Sequence, residues 1–156
     1  MKIYIVDNTE QTKSQCTTIS AEFRFFADEI QAVNAVEQQA PDLILLHYNL
    51  RGKDTARYID LLLTICPQTN IVLIGDNLSD EQVVNCLLLG AKGYQNISEL
   101  AFYIDKIIHV ILAGEAWVSR RLTSCLLDAV RKQTGLDDPN FYFAGQYIFS
   151  AAHQKM

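Results

Sequence analysis

Four groups of residues stand where this chain could do chemistry, each at the end of a short apolar run. They are Asp7 and Asn8 after Ile3-Tyr4-Ile5-Val6, His47 to Asn49 after Leu43-Ile44-Leu45-Leu46, Ile74 and Gly75 closing Ile71-Val72-Leu73-Ile74, and Asn96 with Ile97 after Gly93-Tyr94-Gln95. A carboxylate such as Asp7 can hold a cation or take part in proton transfer. An imidazole such as His47 titrates near neutrality, accepts a phosphoryl group, or binds a metal. A lone histidine lacks the ligand count of a zinc site. Cys16, Cys66, Cys86 and Cys125 lie 50, 20 and 39 residues apart with no C-x-x-C pair, which sets zinc and redox motifs aside.

The elements that must position these residues follow from periodicity. Apolar runs at 2–6, 22–26, 42–46 and 70–74, with a weaker one at 93–95, alternate with amphipathic stretches. That pattern predicts a parallel sheet with crossover helices, and the continuous runs at 43–46 and 71–74 suit central strands covered on both faces. Residues 55–66 put Tyr58, Leu61, Leu62 and Ile65 on one helical face, and 80–89 do the same with Val83, Val84, Leu87 and Leu88. Ser79 and Gln82 form a candidate capping box with Gly90 as the stop. Leu100, Ile104, Ile107, Ile108 and Ile111 make the clearest stripe, ending at Gly114. Helices at 9–20 and 30–39 complete five β-α units, a (βα)5 doubly wound α/β fold, for which two helices on each face are the ordinary expectation. In such a sheet the ligand crevice lies beyond the carboxyl ends of the strands, which is where the four groups stand.

Composition narrows the function. The chain has 156 residues with 49% hydrophobic and 20% charged, an ordinary globular composition. Its net charge of −5 gives no overall attraction for nucleic acid or anionic lipid. The apolar run after Lys2 is too short for a signal peptide or a membrane span, so the expectation is a cytoplasmic protein with reduced, buried thiols.

Four motifs in order, Ile3-Tyr4-Ile5-Val6-Asp7, Ala40-Pro41-Asp42-Leu43-Ile44-Leu45-Leu46, Gly90-Ala91-Lys92-Gly93-Tyr94 and Ala113-Gly114-Glu115-Ala116-Trp117-Val118-Ser119, resemble the receiver domain of two-component response regulators. The resemblance is closest to the receivers of LuxR-type transcription regulators and covers about residues 2–119. It implies a CheY-like fold with strand order 2-1-3-4-5. It also implies an aspartate after the third strand that accepts a phosphoryl group, and Mg²⁺ held by acids after the first. This chain departs at those positions: the phospho-acceptor falls on His47, the acidic pair on Asp7 and Asn8, the hydroxyl residue on Ile74 and the lysine on Ile97. Tyr94 takes the place of an aromatic that reorients on activation in the family, and Asn49 borders the acceptor position.

Mg²⁺ takes near-octahedral oxygen ligands, and Asp7 is the single carboxylate left, so cation binding is expected to be weak. An imidazole cannot form an acyl phosphate, and Ile74 and Ile97 offer no donor to a phosphoryl oxygen. The first reading of His47 is a packed, hydrogen-bonded residue, the second a titrating pair with Asp7, the third a phosphohistidine or metal ligand. Asp7 reads as a remnant or a cap for the first helix. Tyr94 reads as a half-buried strand aromatic, and Trp117 as a packing anchor.

After Gly114 the alternation stops. Residues 119–133 read as a sixth helix with Leu122, Leu126, Ala129 and Val130 on one side, and the last 16 residues hold Phe141, Tyr142, Phe143, Tyr147 and Phe149. Disordered segments are poor in aromatics, so this extension is expected to fold back on the domain or to form an interface. The expected division is a receiver-like domain at 1–118 and an extension at 119–156, with Leu122, Leu126, Phe141, Tyr142, Phe143, Tyr147 and Phe149 as interface candidates. A homodimer is the simplest partner, beside a further unidentified protein. Only 23 residues follow Gln133, and 113–156 holds five basic and four acidic residues, so neither a helix-turn-helix output domain nor a phosphate-gripping stripe is expected in this chain. The resulting expectation is a non-enzymatic signalling module without cofactor, working by phosphorylation-independent protein contact. The alternative is the receiver part of a LuxR-type transcription regulator whose DNA-binding domain is absent or truncated.

Overall fold

Ile3 and Ile5 on one side of the first strand and Tyr4 and Val6 on the other enter two different buried clusters, so the sheet is covered on both faces. A computed structural model describes residues 1–16 and 21–134 of the chain. Its elements are β1 (Lys2–Val6), α1 (Gln11–Gln15), β2 (Glu22–Phe26), α2 (Glu29–Gln38), β3 (Leu43–His47), α3 (Thr55–Ile65), β4 (Asn70–Gly75), α4 (Asp80–Leu88), β5 (Gly93–Asn96), α5 (Leu100–Leu112) and α6 (Arg120–Thr134). The strands are parallel in the order β2-β1-β3-β4-β5, the doubly wound arrangement expected from the sequence.

The helices do not divide two and two. The α5 stripe and Cys16 at the end of α1 cover Ile3, Ile5, Leu43, Leu45, Val72 and Ile74, while α2, α3 and α4 share the opposite face over Tyr4, Val6, Ile44, Leu46, Ile71 and Leu73. Local chemistry sets the helix starts. The Asp28 side chain accepts the N–H groups of Ile30 and Gln31 at α2, and Ser79 with Gln82 forms the reciprocal capping box of α4. The Gly90 that ends α4 holds φ +117°, a backbone region that L side chains rarely adopt.

Beyond α5 the chain returns beside β5. Trp117 accepts the Tyr94 N–H and donates its own to the Lys92 carbonyl, and a Cβ on Gly93 would stand 2.5 Å from the Trp117 carbonyl oxygen. Glycine is therefore required there. The Trp117 ring lies 5.7 Å from that of Tyr103, and its Nε1 donates to Gln95, so it anchors the outer edge of the sheet.

The sixth helix is not a free extension. It lies on α4 and buries Leu122 there, with Cys125, Leu126 and Ala129 partly covered. Leu122 is thus spent inside the chain and Leu126 is half spent, which removes Leu122 from the exposed interface candidates. Phe141, Tyr142, Phe143, Tyr147 and Phe149 lie outside the described residues. No helix among those described is long and apolar enough to cross a membrane.

Candidate functional site: the crevice at the strand ends

Register brings the sequence-predicted residues to one end of the sheet. Val6 pairs with Leu46 and His47 with Ile74, so Asp7 and His47 follow one another across adjacent strand ends. Alternation along β1 and β3 turns both side chains toward the α1 and α5 side, where Ile74 and Ile97 are already part of the apolar cluster. His47, Ile74 and Ile97 therefore share one buried layer beneath the crevice. Asn8 and Asn49 are exposed at its rim.

Asp7 acts as a local cap. Its Oδ1 accepts the Thr9 N–H and the Thr9 hydroxyl, each at 2.9 Å, and its Oδ2 accepts the N–H of the buried Thr12 at 3.1 Å. Burial pushes this carboxyl up, but the hydrogen bonds from Thr9 and Thr12 outweigh it and hold the group below the ordinary aspartate value. Both oxygens are thus engaged in starting α1. Of the two readings, remnant or cap, the hydrogen bonds favour the cap, although the N-cap position of α1 itself is Glu10 and Asp7 reaches the Thr12 N–H from three residues upstream of it.

His47 is 0% exposed. Its Nδ1 accepts the Asn49 N–H at 3.1 Å, which places the proton of the neutral ring on Nε2. Nε2 is itself buried and has no partner among the described residues. An unpaired buried donor costs about 1–3 kcal/mol, so this position is held against a local penalty by its surroundings. One nitrogen is engaged and neither is open to solvent, whereas phosphoryl transfer needs an in-line approach to the acceptor.

Beside it, Ile74 is completely buried, and the next residue, Gly75, has no side chain. A Cβ there would stand 2.7 Å from the Leu78 side chain, so Leu78 fills the volume that any side chain at 75 would need. Sequence reasoning placed Gly75 at the crevice but missed Leu78, because nothing local announces that a leucine three residues on folds back over a strand end. Tyr94 is half-buried on the opposite side of the sheet, with its hydroxyl accepting the Leu78 N–H at 3.4 Å. Burial raises its pKa.

The donor set does not fit a magnesium ion. Asp7 is one carboxylate with both oxygens in use, His47 turns an engaged nitrogen and a buried one to its neighbours, Ile74 and Ile97 are aliphatic, and Asn8 and Asn49 add only exposed neutral amides at the rim. Among the described residues no group of three or more His, Cys, Asp or Glu could hold a metal. Cys16 and Cys86 are buried thiols that desolvation pushes up to about 12, so neither is a thiolate at neutral pH.

The strand order, the crossover helices and the crevice at the carboxyl ends of the strands define the fold of a response-regulator receiver domain. The isolated REC domain of RcsB from Salmonella enterica serovar Typhimurium superposes with a TM-score of 0.71 at 15% identity, over 82% of this chain and 98% of that one. A two-component response regulator of the LuxR family from Aurantimonas sp. SI85-9A1 gives 0.68 at 16% identity, over 82% and 96%. In sequence, the chain is 32% identical over 101 residues to the nitrate/nitrite response regulator protein NarL of Escherichia coli (strain K12), which is 65% of this chain and 47% of that protein. The chain spans about half the length of that relative. No family model matches it.

Proposed function

We propose that this chain is a signalling receiver that passes information by protein contact without taking up a phosphoryl group. Residues 1–118 form the receiver, 119–156 form the extension that carries the contact, and the assembly works in the cytoplasm as a homodimer. The observation that carries the reading is the floor of the crevice: His47 sits at the end of β3 with both nitrogens buried, and Ile74 and Ile97 lie in the same apolar layer. Similarity to regulators of the LuxR and NarL type supports a place in two-component signalling, and those relatives are signalling proteins rather than enzymes. Among the described residues the buried Nε2 of His47 has no partner, while Asp7 caps the Thr12 N–H and Trp117 bonds to Gln95.

Incubation with a small phosphodonor followed by intact-mass measurement tests it, with calorimetric titration of magnesium and beryllofluoride alongside. The expected result is no mass increase and no saturable heat. A phosphoryl adduct that disappears in His47→Ala, or tight beryllofluoride uptake that does, overturns it.

A further inference from the structure

Helix α5 turns Ile104, Ile107, Ile108 and Ile111 to the sheet and leaves a second stripe outside. Phe102, Asp105, His109 and Leu112 follow one another three, four and three positions apart. At about 100° per residue, all four then point within about 40° of one direction. They are exposed, Phe102 at 82% and Leu112 at 46%. Phe102 is the most exposed large hydrophobic side chain among the described residues, and its ring stands edge-on to that of Tyr103 at 4.8 Å. Neither Asp105 nor His109 forms an ion pair among the described residues.

We propose that this stripe is the homodimer contact, with α5 of a second copy lying antiparallel on it across a two-fold axis at the level of Ile107. The proposal deepens the homodimer part of the reading above and rests on it, uses none of the crevice residues, and leaves the 119–156 extension to the further partner. Three observations point to a second copy as the occupant. First, the stripe is complementary to its own reverse. Phe102 and Leu112 lie equally far from Ile107 in opposite directions, and so do Asp105 and His109, so an antiparallel approach sets Phe102 on Leu112 of the second copy and Asp105 on its His109. The symmetry makes each contact twice: an aromatic ring covers an aliphatic side chain, and an imidazole N–H donates to a carboxylate. Second, the 3-4-3 spacing is that of the seam along which two helices interlock side chains, so the four residues meet their mates without repacking the inner face of α5. Third, the antiparallel sense puts the positive end of each helix dipole beside the negative end of the other. Lys106 flanks the stripe close to the axis, where the two Asp105 carboxylates balance the two ammonium groups.

Sedimentation equilibrium of the full chain tests the proposal. The expected result is a concentration-dependent dimer whose dissociation constant rises at least about tenfold in Phe102→Glu. Ile30→Glu, at a 67% exposed apolar residue on α2, should leave it unchanged. Asp105→Lys and His109→Glu should each weaken the dimer, and the two together should restore most of the loss, because the exchanged pair meets with its charges reversed. All four residues are exposed in the folded chain, so the far-ultraviolet circular dichroism of each variant should match the parent. A monomer at every concentration overturns the proposal, as does a dimer indifferent to Phe102→Glu, one weakened as much by Ile30→Glu, or one that the exchanged pair fails to recover. A monomer that takes no phosphoryl group removes the dimer and leaves the account of the crevice standing. A dimer that Phe102→Glu dissociates but that accepts a phosphoryl group does the reverse.

Discussion

At the strand ends, His47, Ile74 and Ile97 are buried in a continuous layer, and the carboxylate above them is tied to the start of α1, whereas along the outer side of α6 Leu127 and Val130 face solvent between charged neighbours. The first region is built like a core, and the second leaves apolar side chains in solvent. The difference teaches that the strands of this domain are held by apolar burial and backbone pairing. Neither of those depends on a metal or a phosphoryl group.

The comparison breaks most readily at Ile74. Ile74→Ala should destabilise the fold by about 2–5 kcal/mol, read from the urea midpoint, since a fully buried isoleucine under a close-packed crevice leaves a cavity. A loss within the range of surface substitutions would mean that the floor is loose and the crevice open.

Asp7 should give a smaller effect with a pH signature. Asp7→Ala removes a cap and is expected to cost about 1 kcal/mol at neutral pH. Because the folded state holds this carboxyl below its ordinary value of 3.8, its contribution is present above that value and lost as pH falls through the folded one. Urea midpoints of parent and variant should therefore converge as the solution is acidified below about pH 4. Midpoints that stay separated to strong acid would mean that the cap works without ionisation.

Least of all should come from Leu127. Leu127→Glu is expected to change the stability of the monomer by no more than about 0.5 kcal/mol, as exposed positions do. Measured at dilution, a cost comparable to that of Ile74→Ala would show that α6 is core and would erase the contrast between the two regions.

Much of this was legible in the sequence. The apolar runs became strands within a residue or so, because alternation and continuous β-rich hydrophobicity are local properties. Ser79 and Gln82 announced their capping box, and Asp7 announced its cap. Of the candidate site, the imidazole of His47 and the aliphatic side chain of Ile97 could be read from residue types alone. The burial of both His47 nitrogens could not, since it depends on β1, β4 and α1 closing around β3. Nor could the space beside Gly75, which Leu78 fills from a loop.

The sixth helix marks the boundary most clearly. Its stripe of Leu122, Leu126, Ala129 and Val130 implied, from residue order alone, that one side of it would be covered, and of these Val130 is instead left 38% exposed. Only the tertiary structure decided that α4 does the covering, that Arg121 meets Asp80 and that Leu122 is spent within the chain while Leu127 is left outside. An amphipathic pattern records which side of a helix must leave water. It carries no record of what comes to meet it, because burial is a relation between segments far apart in the chain.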